Sequence, residues 1–150
     1  MDYFINSFEQ LNKKINKLMN SIDVNVKNYL NVTPLHYACQ QGNIEIVKIL
    51  LKNNANVNAC NYLNETPLHY ACWKGNIEIV KILLKNNSDI NSITKYGSTP
   101  LHYVSMMGDL KLIKLMLKNG ACLNSTDNFK LKPIDTAKND EVREYLLKIK

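Results

Sequence analysis

The sequence predicts an all-α solenoid of helix–turn–helix units joined by hairpin loops and capped at both ends. Three observations carry that expectation. TPLHYACQQGNIEIVKILLKNN at 33–54 returns at 66–87 as TPLHYACWKGNIEIVKILLKNN, and in looser form at 99–120 as TPLHYVSMMGDLKLIKLMLKNG. Pro34, Pro67, Pro100 and Pro133 stand 33 residues apart and are all the prolines in the chain. His36, His69 and His102 keep the same interval and are all the histidines. A period of this length marks units that cannot bury their apolar faces alone and become stable when neighbours cover them.

One domain over 1–150 is expected, divided as an N-terminal cap with a degenerate repeat (1–32), three repeats (33–65, 66–98, 99–131) and a C-terminal capping repeat (132–150). Residues 1–21 break the repeat. Phe4, Phe8, Leu11, Ile15, Leu18 and Met19 recur at helical spacing, with Asn12, Lys13, Asn16 and Lys17 on the other side, as an end unit with one wet face requires. IDVNVKNYLN at 22–31 then echoes NVNACNYLN at 56–64, so Ile22–Asn25 enters a first hairpin.

Each repeat opens on Thr33, Thr66 or Thr99 as the N-cap, with proline at the first helical position, where no amide donor is lost. A short helix runs to Gly42, Gly75 or Gly108, whose permissive backbone suits a tight helix-to-helix turn. The second helix (Ile44–Lys52, Ile77–Lys85, Leu110–Lys118) places Ile, Val and Leu at helical spacing. Glu45, Glu78 and Asp109 are expected in its first turn and lysines toward its end, as the helix dipole favours. Asn54, Asn87 and Gly120 fall just past that helix, and Asn31, Asn64 and Gly97 at the hairpin tips, where left-handed backbone is expected. In the last unit Lys132 replaces threonine, Asp135 replaces histidine, the glycine turn is missing and Lys130 takes the tip position. Val142, Tyr145 and Leu146 still make one helix face, as in a shortened cap.

These words, T-P-L-H-x-A followed by a glycine and an I-V-x-x-L-L-x-x-x-A-x-x-N tail, resemble the ankyrin repeat over roughly residues 22–148. The resemblance implies that the T-P-L-H histidine is a structural staple, bonding back to its own threonine and across to the next unit. It also implies a non-enzymatic module binding another protein through a concave groove and hairpin tips, as small ankyrin adaptors and inhibitors do.

Composition narrows the remaining classes. Hydrophobic residues make up 45% of the chain, with no run near the ~18 apolar residues of a membrane span. The acidic start MDYFINSFEQLNKK does not read as a secretory signal. Cys39 and Cys72 share a repeat slot while Cys60 and Cys122 fall in hairpins, and stacked units at ~8–10 Å exceed the ~7 Å reach of a disulfide. Free thiols, and hence cytoplasm or nucleus, are expected. A net charge of +6 raises nucleic acid, yet Arg143 is the only arginine, and the wealth of Lys, Asn, Ile and Tyr fits A/T-rich codons. Nucleic acid is therefore not the expected partner; another protein is, with no membrane span and a monomeric state.

Catalytic and metal chemistry find no foothold. His36-x-x-Cys39 and His69-x-x-Cys72 put imidazole and thiol one turn apart, but the third copy has Ser105 in the thiol slot, so no ligand set propagates. No G-x-x-x-x-G-K-[ST], G-x-G-x-x-G or G-x-S-x-G motif occurs, and Asp140, Glu141 and Glu144 suit a helix start. No enzyme, cofactor or metal site is expected.

Specificity is expected where the repeats disagree, because identical slots serve the fold. One set lies at the hairpins: Tyr29-Leu30, Tyr62-Leu63, Lys95-Tyr96 and Asn128-Phe129, with Val32, Glu65, Ser98 and Leu131 just beyond. The other ends the first helix: Gln40-Gln41, Trp73-Lys74 and Met106-Met107. Tyr, Trp and Met there suit an adaptable protein-binding strip, whereas packing between neighbouring hairpins is the plainer use of Leu30 and Leu63. Tyr37, Tyr70 and Tyr103 share one slot and are expected to be partly buried, with hydroxyls reaching the groove. Lys48, Lys52, Lys81, Lys85, Lys111, Lys114 and Lys118 form an outer ladder, either a solvated face or a surface for nucleic acid or acidic membrane. A near-consensus spacer without a strong partner of its own is a further reading.

Overall fold

The computed structural model describes residue 21 and residues 23–149. The expected N-terminal helix face from Phe4 to Met19, and Ile22, lie outside the described residues. Seven helices follow: α1 (Pro34–Gln41), α2 (Ile44–Lys52), α3 (Pro67–Lys74), α4 (Ile77–Lys85), α5 (Pro100–Met107), α6 (Leu110–Lys118) and α7 (Asp140–Lys148). No strand occurs among the described residues, and the architecture is all-α.

At eight or nine residues these helices are shorter than the ~12–15 that an isolated helix needs in water, so stacking holds them. The first helices stack on one another, α1 on α3 and α3 on α5, and each also packs on its own second helix. Leu35, Leu68 and Leu101 are fully buried in this stack, as are Ile79, Leu83, Leu112 and Met116 from the second helices.

The histidine staple holds the units in register. Nδ1 of His36 accepts the Thr33 amide at 3.1 Å and lies 2.8 Å from its hydroxyl, while Nε2 reaches the carbonyl of Glu65 in the next unit at 3.0 Å. His69 joins Thr66 to Ser98, and His102 joins Thr99 to Leu131, in the same way. An amide N–H can only donate, so Nδ1 accepts and Nε2–H donates: each ring is the neutral Nε2 tautomer. Burial pushes the His69 imidazole down to about 4 and lowers His36 as well.

Two further ladders were not legible beforehand. In the slot shared by Asn28, Asn61, Thr94 and Asp127, one side-chain oxygen accepts the amides two and four residues on; for Asn61 these are Leu63 at 2.8 Å and Glu65 at 2.9 Å. Asn58 donates to the Asn87 carbonyl at 3.1 Å and accepts the Asp89 amide at 2.8 Å, so both ends of its amide are engaged with the next unit. Asn25 and Asn91 repeat that pattern.

Left-handed backbone falls where expected, at Asn31, Asn64 and Gly97 on the tips, at Asn54, Asn87 and Gly120 after the second helices, and at Lys130. One placement is corrected. Asp109 is not in the first turn of α6 but is its N-cap, accepting the Leu112 amide at 3.0 Å; Asn43 and Asn76 cap α2 and α4 identically. The reason is register: Asp109 aligns with those asparagines, and Lys111 with Glu45.

The last unit is cut short. Pro133–Thr136 forms a turn rather than a helix, and Asp135 accepts the Lys132 amide at 2.8 Å, doing half of what the histidines do. Asn139 caps α7 through the Val142 amide at 2.9 Å, and Val142 and Leu146 are fully buried while Tyr145 is half-buried.

A candidate protein-binding groove

Residues of α1, α3 and α5, with the hairpin loops that precede α3 and follow α4 and α6, border one groove of about 620 Å³. The staple fixes its floor. His69 packs edge-on against Tyr103, with ring centroids 5.2 Å apart, and Tyr103 packs edge-on against Trp73 at 6.1 Å. Such T-shaped pairs set the positive edge of one ring against the face of the next.

Polar bonds then pin the aromatic wall. The Tyr103 hydroxyl donates to Oε1 of Glu65 at 2.8 Å, and Asn61 donates to Oε2 at 2.8 Å. Asn61 also donates to the Tyr70 hydroxyl at 3.1 Å. Burial raises the phenol pKa of Tyr103, and its bond to Glu65 raises it further, so the hydroxyl stays a donor at neutral pH. Tyr70 is raised for the same leading reason.

Nine of the divergent-slot residues line this groove: Gln40, Glu65, Trp73, Lys74, Tyr96, Ser98, Met106, Phe129 and Leu131. Trp73 is 51% exposed, Tyr96 50%, Met106 46% and Phe129 73%, a set of large side chains open to solvent around one opening. Tyr29, Gln41, Tyr62, Lys95 and Met107 do not line it. Gln41 and Met107 sit one residue further round the helix than Gln40 and Met106, about 100° away. Tyr29, Tyr62 and Lys95 occupy the slot before the one that faces the groove through Tyr96 and Phe129, and Tyr29, at 92% exposure, stands in open solvent.

Tyr70 and Tyr103 are half-buried with hydroxyls in the groove network; Tyr37 departs, being exposed, with its hydroxyl taking a bond from Asn28 at 3.0 Å. Asp127 and Thr136 also line the groove and were not singled out from sequence. Asp127 carries a signal that could have found it, since it occupies the loop slot of Asn61.

Elsewhere, Lys48 pairs with Glu45 at 3.2 Å and Lys81 with Glu78 at 3.6 Å, partly neutralising the outer ladder. Cys39 and Cys72 are buried, which pushes the Cys39 thiol up to about 12 and raises Cys72; Cys60 and Cys122 are exposed, and all four are free. Among the described residues no three His, Cys, Asp or Glu side chains are grouped to hold a metal ion, and no helix is long and apolar enough to cross a membrane.

A family model described as ankyrin repeats (3 copies) matches residues 5–94, and one described as ankyrin repeats (many copies) matches residues 74–117. The first match begins inside the stretch that the sequence sets apart as a non-repeating cap. The second stops before the unit that has lost its histidine, glycine and first helix. No curated protein matches the chain.

Proposed function

The chain belongs to the ankyrin-repeat family, whose repeats are generally protein–protein interaction modules, and on that premise we propose a non-enzymatic adaptor or inhibitor that binds a partner protein in the groove. One observation carries the reading. Trp73, Tyr96, Met106 and Phe129 are all exposed around a single opening, whereas large apolar side chains scattered on a surface would need no explanation. Trp and Tyr concentrate binding energy at interface centres, and methionine conforms to irregular partners. The free thiols support a cytoplasmic or nuclear setting.

The test is capture from native lysate on the immobilised protein at low and high salt. A Trp73→Ala/Tyr96→Ala/Met106→Ala variant probes the groove, and Tyr29→Ala/Tyr62→Ala probes exposed tyrosines outside it. A discrete protein held at high salt by the parent and the tyrosine variant, but lost by the groove variant, supports the reading. Nucleic acid or a mixed set, washed away by salt and indifferent to the groove changes, would overturn it in favour of the outer lysines.

A further inference from the structure

The charge of the groove runs against that of the chain. The protein carries +6, yet the groove wall holds two carboxylates, Glu65 and Asp127, and one cation, Lys74. Asp127 is tied to its own loop through one oxygen, Oδ1, which accepts the amides of Phe129 and Leu131 at 2.9 Å each. Glu65 is different in kind. Its slot holds Val32, Ser98 and Leu131 in the other units, so the fold does not need a carboxylate there.

Two donors, Tyr103 and Asn61, hold that carboxylate by one oxygen each. A carboxylate has about four lone-pair positions, so each oxygen keeps room for a second donor, and the pinned group loses little freedom on accepting one. Beside it stand the ring of Tyr103 and the half-exposed ring of Trp73, at an interplanar angle of 78°. His69 beneath them is neutral at pH 7, so no buried cation competes for the site.

Fixed acceptors next to the half-exposed ring of Trp73 suit a planar cation with donors on its edge. A guanidinium stacks on an aromatic ring and offers two parallel N–H groups to a carboxylate; an ammonium is a point charge without that fork. Resting on the groove reading above, we infer that the partner enters as an extended segment carrying an arginine, which lies against Trp73 and Tyr103 and bonds Glu65. Apolar residues flank that arginine in the segment, meeting Met106 on one side and Tyr96 and Phe129 on the other.

Trp73 is the only tryptophan, so its fluorescence reports occupancy in the whole chain. The probes are pooled capped synthetic peptides with randomised apolar flanks around a central arginine, glutamine or glutamate. The arginine pool is expected to bind the parent at least about ten-fold more tightly than the glutamine pool. In Glu65→Gln that preference should fall below about three-fold. Thermal unfolding of the variant confirms that it is folded. Equal affinity for the arginine and glutamine pools overturns the arginine inference while leaving the groove as a binding surface. An arginine preference that survives Glu65→Gln also overturns it. A silent Trp73 with every pool overturns both this inference and the groove reading.

Discussion

The hydroxyl of Tyr103 donates to Glu65 at 2.8 Å, tying the first helix of one unit to the residue that precedes the N-cap of the unit before it. This bond adds a side-chain tie beside the histidine staple, in which His36 Nε2 donates to the Glu65 carbonyl at 3.0 Å. Tyr103→Phe and Glu65→Ala are expected to show a coupling of about 1 kcal/mol in a double-mutant cycle of urea unfolding. Strict additivity would mean that the bond contributes nothing to stability.

Acid should weaken the stack through its histidines. Burial holds His69 at about 4 in the folded protein, against the ordinary 6.5. The unfolded chain therefore takes up more protons between those values, and stability falls as pH drops through that window. It is complete above the unfolded pKa and is lost down to the folded one. From pH 7.5 to pH 4.5 the loss from His69 alone should be on the order of 2–3 kcal/mol, with His36 acting in the same direction. Denaturation midpoints at the two pH values measure it; a His69→Gln variant should show a smaller difference.

Two serines are out of place. The hydroxyls of Ser88 and Ser105 are buried without a hydrogen-bond partner. Ser88 stands where Ala55 and Ala121 sit in the neighbouring units, and Ser105 where Cys39 and Cys72 sit. Ser88→Ala and Ser105→Ala should each stabilise the protein by about 1 kcal/mol, because an unpaired buried hydroxyl is removed with little change in volume. An unchanged or lowered unfolding midpoint would show that the hydroxyls find partners after all.

The tip slot makes opposite predictions in neighbouring units. Lys130 holds φ +63°, a conformation disfavoured for lysine, whereas Gly97 holds φ +76° in the equivalent place. Lys130→Gly should raise stability by about 0.5–1 kcal/mol. Gly97→Ala should lower it by at least about 1 kcal/mol, through the same backbone strain and contact with the next hairpin. A Cβ there would meet Asn128 Oδ1 at 2.7 Å and its backbone nitrogen at 3.0 Å. Thermal melts of the pair decide it.

Thiol chemistry should separate the cysteines by depth. Cys60 and Cys122 are expected to react with a water-soluble disulfide reagent in the native protein, while Cys39 and Cys72 wait for unfolding. Cys122 should be the faster of the exposed pair, since a hydrogen bond with Ser125, first among its influences, lowers its pKa. Rapid labelling of all four in the native state would contradict the burial of the first helices.

Much of the fold was legible in the chain because its determinants are local and recur in phase. Thr33-Pro34 announces a helix start and Gly42 its end in each copy, and His36 announced the staple through its resemblance to a known repeat. The loop slot of Asn28 and Asn61 was harder to see, since Thr94 and Asp127 fill it with different side chains that share only an acceptor oxygen. Asp109 shares the charge of Glu45 and Glu78 but the register of Asn43 and Asn76, and register sets its place as an N-cap.

The candidate site divides in the same way. Disagreement between repeats picked out Trp73, Met106 and Phe129, but Met107 and Lys95 disagree just as plainly and lie outside the groove. Composition cannot separate them, because the choice depends on how each helix is rotated against the hairpin beside it.

By itself, then, the sequence determined the repeat, its helices, its turns and the slots that vary. Only the tertiary structure decided which varying slots meet. Glu65 and Tyr103 are 38 residues apart, one period of 33 plus five, and so fall in different phases of the repeat. Periodicity relates a slot to its own copies, whereas stacking places one unit's helix beside its neighbour's loop, and the groove is built from contacts of that second kind.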